Sequence, residues 1–248
     1  MTKTRKILFG VPVDDLTASE TVAVVDEYIQ NQRPAHLLGV NSDKINAIQS
    51  DKTLRDIVMK AEIINPDGIS MVMACRLLGK PLPERVAGID LMADLLDLAE
   101  QQQYGVYFIG AKQAVIEQAV NNMQQQWPKL HVLGFENGYF DESTWHDKAE
   151  NLKRLQPKLV FIGISSPQKE YFIQYLLDAG VDSILMGVGG SFDVISGTIK
   201  RAPKWMQKSG LEWFYRFMQE PGRMWRRYFV GNFQFILLTL KARFKAND

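Results

Sequence analysis

The chain has 248 residues, 46% hydrophobic and 23% charged, a size and balance that fit one sizeable folded domain with an appendage and exclude a low-complexity or disordered protein. Its single cysteine, Cys75, excludes an intramolecular disulfide and a cluster of cysteine metal ligands, which fits a reducing compartment. The formal net charge of +1 hides a polar molecule: residues 197–248 hold eleven Lys and Arg against three acidic residues, a net of +8, and residues 1–196 hold the other 18 basic and 25 acidic ones, a net of −7.

In chain order, the basic Lys3, Arg5 and Lys6 precede the apolar run 7–13, which Asp14 and Asp15 interrupt. That run is too short for the apolar region of a signal peptide, so no export signal is expected and the segment reads as a strand. Further strands are expected at 36–41, 62–64, 105–109, 131–135, 159–164 and 183–188, with helix-length segments between them. The rhythm predicts an α/β fold, a mostly parallel Rossmann-like sheet with helices on both faces. Thr17 and Glu20 form a capping box before an apolar periodic run, and Pro167-Gln168-Lys169-Glu170 opens a helix with proline in its first turn. The segment 88–103 puts Leu91, Leu95, Leu96 and Leu98 on one stripe, and a helix at 111–126 follows the strand that ends Phe108-Ile109-Gly110.

Open α/β sheets bind ligands beyond the carboxyl ends of their strands. There the chain places Asn41-Ser42-Asp43, Asn65-Pro66-Asp67-Gly68, Gly110-Ala111-Lys112, Gly163 to Gln168, and Gly187-Val188-Gly189-Gly190-Ser191-Phe192-Asp193. Asp67 either caps a turn or serves as a general base for a hydroxyl proton. Arg85 either pairs with Glu84 or another surface acid, or binds phosphate with its guanidinium fork. The glycines at 187, 189 and 190 make only a weak dinucleotide fingerprint, and no P-loop is present. His36, His131 and His146 are isolated and read as structural, no Asp-x-Asp is present, and neither metal nor cofactor is expected.

The tail carries eleven of the chain's aromatics, drawn from 13 Phe, 8 Tyr and 5 Trp. Trp225, Phe229, Phe233, Ile236, Leu240 and Phe244 recur at three or four residues as one apolar stripe, with Arg223, Arg226, Arg227, Lys241 and Arg243 largely outside it. Its most apolar stretch, 229–240, falls well short of the roughly 20 residues that span a bilayer. Two readings stay open: a helix lying on an anionic lipid surface, and a terminal helix docked on the domain or a second subunit. An exposed amphipathic tail also favours self-association, so a homo-oligomer is expected. The acidic body and the lack of any accompanying motif argue against nucleic acid as a partner.

Taken together, these residues resemble the WecG/TagA/CpsF family of bacterial glycosyltransferases (glycosyltransferase family 26). The most specific block runs Gly187-Val188-Gly189-Gly190-Ser191-Phe192-Asp193, Gly197, Arg201-Ala202-Pro203-Lys204-Trp205, Gly210-Leu211-Glu212-Trp213, Tyr215-Arg216, Glu220-Pro221, Arg223 and Arg226. The resemblance implies metal-independent, inverting transfer of a hexose-type sugar, N-acetylmannosamine or a relative, from a UDP-sugar to an N-acetylglucosamine on polyprenyl diphosphate. It places the protein at the cytoplasmic face of the membrane as a peripheral protein. Asp67 becomes the base and Arg85 the offset to charge on the leaving diphosphate. Asn41 and Gln168 position donor or acceptor, Arg216, Arg223 and Arg226 reach a diphosphate, and Gly110, Lys112, Gly189, Phe192 and Asp193 complete the substrate-binding set. Where many relatives have Thr two residues before the Asn, this chain has Gly39, so a hydroxyl contact near the donor is missing. Residues 1–196 are expected to form the catalytic domain and 197–248 the membrane-associating appendage. The rival classes are a non-catalytic sugar-nucleotide-binding protein of the membrane surface and a nucleotide-dependent oxidoreductase or epimerase.

Overall fold

A computed structural model of the protein describes residues 4–245, with the side chains of Lys208, Arg223, Met224, Arg226, Arg227, Tyr228 and Lys245 outside the description. The first two strands, β1 (Arg5–Leu8) and β2 (Val11–Asp14), pair with each other and stand apart from the main sheet. The other six are β3 (Ala35–Val40), β4 (Ile63–Pro66), β5 (Val106–Gly110), β6 (Val132–Glu136), β7 (Leu159–Gly163) and β8 (Ile184–Gly187). They form one sheet in the order β4-β3-β8-β7-β5-β6, every neighbouring pair parallel. All six fall where the alternation of apolar runs and helical patterns predicts them, and the α/β class is as expected.

Successive strand residues point to opposite faces, and each face has its own core. Leu37, Ile63, Phe108 and Phe161 pack on one side with the helices Ala18–Gln30, Gly88–Gln102 and Gln113–Gln126. Leu38, Ile64, Ile109 and Ile162 face the other side, under the helices Ser42–Ala47, Lys52–Lys60, Ile69–Leu77, Trp145–Leu155 and Gln168–Asp178. The helix starting at Ala18 carries the expected capping box: Glu20 N donates to Thr17 Oγ1 (3.2 Å) and Thr17 N to Glu20 Oε2 (2.8 Å). From β3 the chain steps to the edge strand β4, then crosses to β5, whose next step is to the opposite edge. That reversal opens a crevice beyond the carboxyl ends of the central strands.

The run 7–13 is not one strand, as expected, but a hairpin. Phe9 and Gly10 both take positive φ (52° and 83°), and this two-residue turn folds β2 back on β1. Asp14, fully buried, fastens the hairpin to the body: Oδ1 accepts from Arg5 Nε and Oδ2 from Ile64 N, both at 2.7 Å. Gly10 is the turn signal inside the apolar run, and only the positive φ of Phe9 is unmarked in the sequence.

After β8 come the helices Ser191–Ile195, Lys204–Lys208, Glu212–Gln219 and Pro221–Trp225, a π-helical segment Arg226–Gly231, and the last helix, Asn232–Lys245. The last helix docks on the body through Phe235, whose ring lies 5.3 Å from that of Phe9, and through the buried Thr239. Asn46 Nδ2 donates to Gly231 O at 2.7 Å beside it. The stripe read from the sequence is therefore not the face docked on the domain: Trp225, Phe229, Phe233, Ile236, Leu240 and Phe244 are all exposed, from 41% to 70%. Among the described residues no helix is long and apolar enough to cross a membrane.

Candidate active site

A cavity of about 2250 Å³ opens where the strand ends meet the tail. Asn41, Asp67, Arg85, Lys112, Gln168, Gly189, Asp193 and Arg216 all line it. The strand ends bring together residues that are far apart in sequence. Asp67 N donates to Val40 O at 2.8 Å, locking the turn after β4 beside the turn after β3. Val86 N donates to Pro66 O at 3.0 Å and ties the Arg85 loop to the same corner. Asn41 caps the helix it precedes, its side-chain oxygen accepting from Lys44 N at 3.0 Å, so part of its amide is already engaged in positioning that helix.

Gly39 lies directly under Asp67. A Cβ built on it would sit 3.1 Å from Asp67 Cβ and 3.5 Å from Oδ2, so the side chain missing at position 39 would have touched the carboxylate itself. Asn65, two residues before Asp67, also lines the cavity, and its buried Nδ2 has no hydrogen-bond partner among the described residues.

Three cations from different elements converge on this rim. Arg85 Nη2 donates to Glu212 Oε2 at 3.0 Å, so the acid that holds it comes from the tail rather than from neighbouring Glu84. Arg216 lies across the loop after β8: its Nη2 is 2.7 Å from where a Cβ on Gly190 would be, and its buried Nε has no hydrogen-bond partner among the described residues. Lys169 crosses the other end of that loop, with Cε 2.5 Å from the place of a Cβ on Gly187. The absence of side chains at 187 and 190 is what lets both cations approach.

Beneath them lies a buried charge cluster that motif reading passes over. Glu170, with no exposed surface, pairs with the ammonium of the buried Lys44 and accepts from Ser166 Oγ at 2.7 Å, with Lys169 Nζ 3.5 Å away. Burial pushes the Glu170 carboxyl up, but Lys169, Lys44 and the hydrogen bonds outweigh it and hold it well below the usual carboxylate range. Burial pushes Lys44 down, the attraction of Glu170 only partly offsetting it. Two ammonium groups thus share one carboxylate at the cavity lining. The sequence signal was the Lys169-Glu170 pair in the first turn of a helix beside a strand end. His36, on the same wall, is driven down to about 3 by burial and stays neutral.

The other expected residues have different places. Gln168 lines the cavity, yet its Nε2 donates to Glu142 Oε1 (2.9 Å), and it is Lys169 and Glu170 of that motif that reach the charge cluster. Phe192 is not on the wall: it is fully buried, its ring edge-on to Phe108 at 6.1 Å. Gly110 is also below the surface, where a Cβ would come 2.7 Å from Gly163 Cα; it allows β5 and β7 to end side by side. Both residues shape the floor by packing. Lys112 is exposed at the cavity's edge, and Asp193 Oδ2 lies 3.5 Å from the place of a Cβ on Gly190, beside Arg216. The side chains of Arg223 and Arg226 lie outside the description. Among the described residues no group of three His, Cys, Asp or Glu is gathered as for a metal ion.

A carboxylate facing fixed cations across a cleft at the strand ends suits transfer of a group from an anionic leaving group to a hydroxyl. Two relatives agree with that chemistry. A Bacillus spizizenii protein named N-acetylglucosaminyldiphosphoundecaprenol N-acetyl-beta-D-mannosaminyltransferase is 33% identical over 217 residues, covering 86% of this chain and 83% of the relative. The protein of the same name from Bacillus subtilis strain 168 is 35% identical over 200 residues, covering 81% and 77%. The model of the glycosyl transferase WecG/TagA/CpsF family matches residues 6–248, which takes in the sheet, the rim and the whole tail. The chain is a glycosyltransferase and belongs to the WecG/TagA/CpsF family.

Proposed function

We propose that the protein transfers N-acetylmannosamine, or a closely related hexose, from its UDP-sugar to an N-acetylglucosamine carried on polyprenyl diphosphate, in the synthesis of a cell-surface polysaccharide or wall polymer. The observation that carries this reading is the meeting of Asp67 with Arg85, Lys169 and Arg216 around one cavity. The names of the two Bacillus relatives supply the sugar and the acceptor. They lend nothing to the oxidoreductase, epimerase or non-catalytic readings.

In this reaction Asp67 takes the proton of the acceptor hydroxyl as its oxygen attacks the anomeric carbon from the face opposite UDP. The bond from that carbon to the diphosphate oxygen breaks, the configuration inverts, and the electron pair leaves with UDP. Lys169 and Arg216, on either end of the loop after β8, meet the charge that develops on the diphosphate, and Arg85 adds to it once Glu212 shares or releases it. Fixed cations lining the cleft fill the role a divalent metal has elsewhere in offsetting charge on the departing diphosphate.

Residues 1–196 supply the base and the floor of the site, and residues 197–248 supply Glu212, Arg216 and a surface for the membrane. The exposed stripe of the tail, with Phe229 and Phe233 each 61% open, supports its lying on the cytoplasmic surface of the bilayer, with self-association as the alternative use of the same face in solution. The test is incubation with a panel of UDP-sugars and polyprenyl-diphosphate N-acetylglucosamine in EDTA, with the product read by mass spectrometry. One added N-acetylhexosamine on the acceptor is expected, and release of UDP without a glycosylated lipid would contradict the reading.

A further inference from the structure

The helices Ile69–Leu77 and Asn232–Lys245 both border the cavity; Ala74, Phe235 and Thr239 on that border are buried, while other side chains beside them stay open. On the first, Ile69, Met73 and Leu77 recur every four residues and therefore share one face. On the second, Ile236 and Leu240 do the same. Met73 is 65% exposed, Leu77 49%, Ile236 54% and Leu240 41%. Apolar side chains on neighbouring helices normally close on one another, because burial removes their surface from water. Here the two helices share a buried cluster through Met71, Ala74, Cys75 and Phe235, while Met73, Leu77, Ile236 and Leu240 stay open along the cavity wall as an apolar groove.

The position of the groove says what fills it. It begins at Gly68, next to Asp67, and continues from the catalytic cavity without a wall between them. Helix geometry carries it about 12 Å from Ile69 to Leu77. Arg76 lies on the same wall, exposed, with its Cβ leaning back toward the helix's first turn. At the far side, the last helix also carries Phe233 and Phe244 on its exposed surface. One wall of the groove thus belongs to the element that offers its aromatics to the bilayer. A ligand with a sugar hydroxyl at Asp67, an anionic diphosphate within reach of Arg76 and a long apolar chain leading to the membrane matches this sequence of surfaces.

We propose that the groove between these two helices binds the first isoprene units of the acceptor's polyprenyl chain, with Met73, Leu77, Ile236 and Leu240 as its apolar walls and Arg76 as a contact for the diphosphate. This rests on the transferase reading above and adds that the protein itself, not only the membrane, recognises the lipid stem.

The test compares N-acetylglucosaminyl-diphosphate acceptors bearing a methyl or a farnesyl stem, in detergent-free buffer without membranes. The wild-type protein should favour the farnesyl acceptor by about tenfold or more in kcat/KM, the scale of burying one or two apolar groups. In the double variant Met73→Ser/Leu77→Ser that ratio should collapse toward one, and Met73→Leu/Leu77→Ile should keep it. Both positions are exposed, so the variants are expected to fold, which circular dichroism checks. A ratio unchanged in the double-serine variant would overturn the proposal. A farnesyl acceptor carrying a diazirine on its first isoprene gives a readout independent of turnover: labelled peptides should come from 69–77 and 232–245 and be lost on competition with unlabelled acceptor. Labelling confined to Trp225 or Phe229, or not competed, would also overturn it. Competed labelling in the groove without turnover of any acceptor would sink the transferase reading and leave the lipid site standing.

Discussion

Arg85 and Glu212 meet at 3.0 Å across the junction of body and tail, and the other oxygen of Glu212 accepts from Arg201 Nε at 3.4 Å. Arg201 in turn holds Asp90 with both terminal nitrogens, at 2.6 and 2.7 Å. This chain of charges joins the loop that carries Arg85 and the helix that begins at Gly88 to the start of the tail. Replacing Glu212 by Ala should free Arg85 but loosen the tail. We expect faster proteolysis near 201–212 and a loss of about tenfold in kcat/KM, the scale of one partly buried charge-assisted contact. Unchanged proteolysis would mean that the tail is held by Phe235 and its neighbours alone.

Gly39 sets how closely Asp67 can lie over β3. A methyl at position 39 would stand 3.1 Å from Asp67 Cβ, tighter than ordinary van der Waals contact, so Gly39→Ala should push the carboxylate aside by a few tenths of an ångström. The expected result is a fold stable enough to purify, with kcat lowered by about tenfold and donor affinity little changed. Gly39→Thr places a hydroxyl against the carboxylate and should change the ranking of donor sugars, measured by competition between two UDP-sugars.

The sheet was legible because its strands are short β-branched or aromatic runs set between well-marked helices, and the rim was legible because turn residues follow each strand end. The hairpin was not, since the run reads as one apolar segment: Gly10 marks the turn, but the first positive φ falls on Phe9, which carries no such signal. The charge cluster was hidden for another reason: Lys44 and Glu170 lie 126 positions apart, and only the pairing of β3 with β8 and of β8 with β7 brings their helices together. Phe192 follows the glycine turn after β8, so its sequence position says cavity, while in the helix Ser191–Ile195 its side chain packs in the core. The tail's stripe is not what docks: its six residues are exposed, and Phe235 and Thr239 outside it make the contact with the body.

Glu170 gives stability a defined pH dependence. Its folded pKa, about 2, lies below its ordinary value of 4.5, so the unfolded chain binds more protons between those values and stability falls as pH drops through that window. Denaturant midpoints measured from pH 5 downward should decline in the wild type and decline less in Glu170→Gln. At neutral pH the same variant should be destabilised by several kcal/mol, because it strands the buried Lys44 ammonium without its carboxylate. An identical acid slope in both proteins would assign the effect to other carboxylates.

The aromatic face of the tail has its own readout. Co-sedimentation with vesicles containing anionic lipid should fall at least severalfold in Phe229→Ser/Phe233→Ser and weaken at high salt, since a basic residue at such a surface contributes about 1 kcal/mol through a screened interaction. Binding that persists in the variant would leave the exposed face to self-association, which sedimentation velocity would then reveal as a change in mass.

The most direct measurement of the catalytic assignment is a single-turnover experiment on Asp67→Asn beside the wild type, in EDTA, with donor affinity determined separately by calorimetry. The variant should bind the UDP-sugar about as tightly as the wild type but form glycosylated lipid at least about a hundredfold more slowly, with inverted configuration in what product remains. Turnover within a factor of a few of the wild type would show that another group takes the proton and would contradict the assignment of Asp67 as the base.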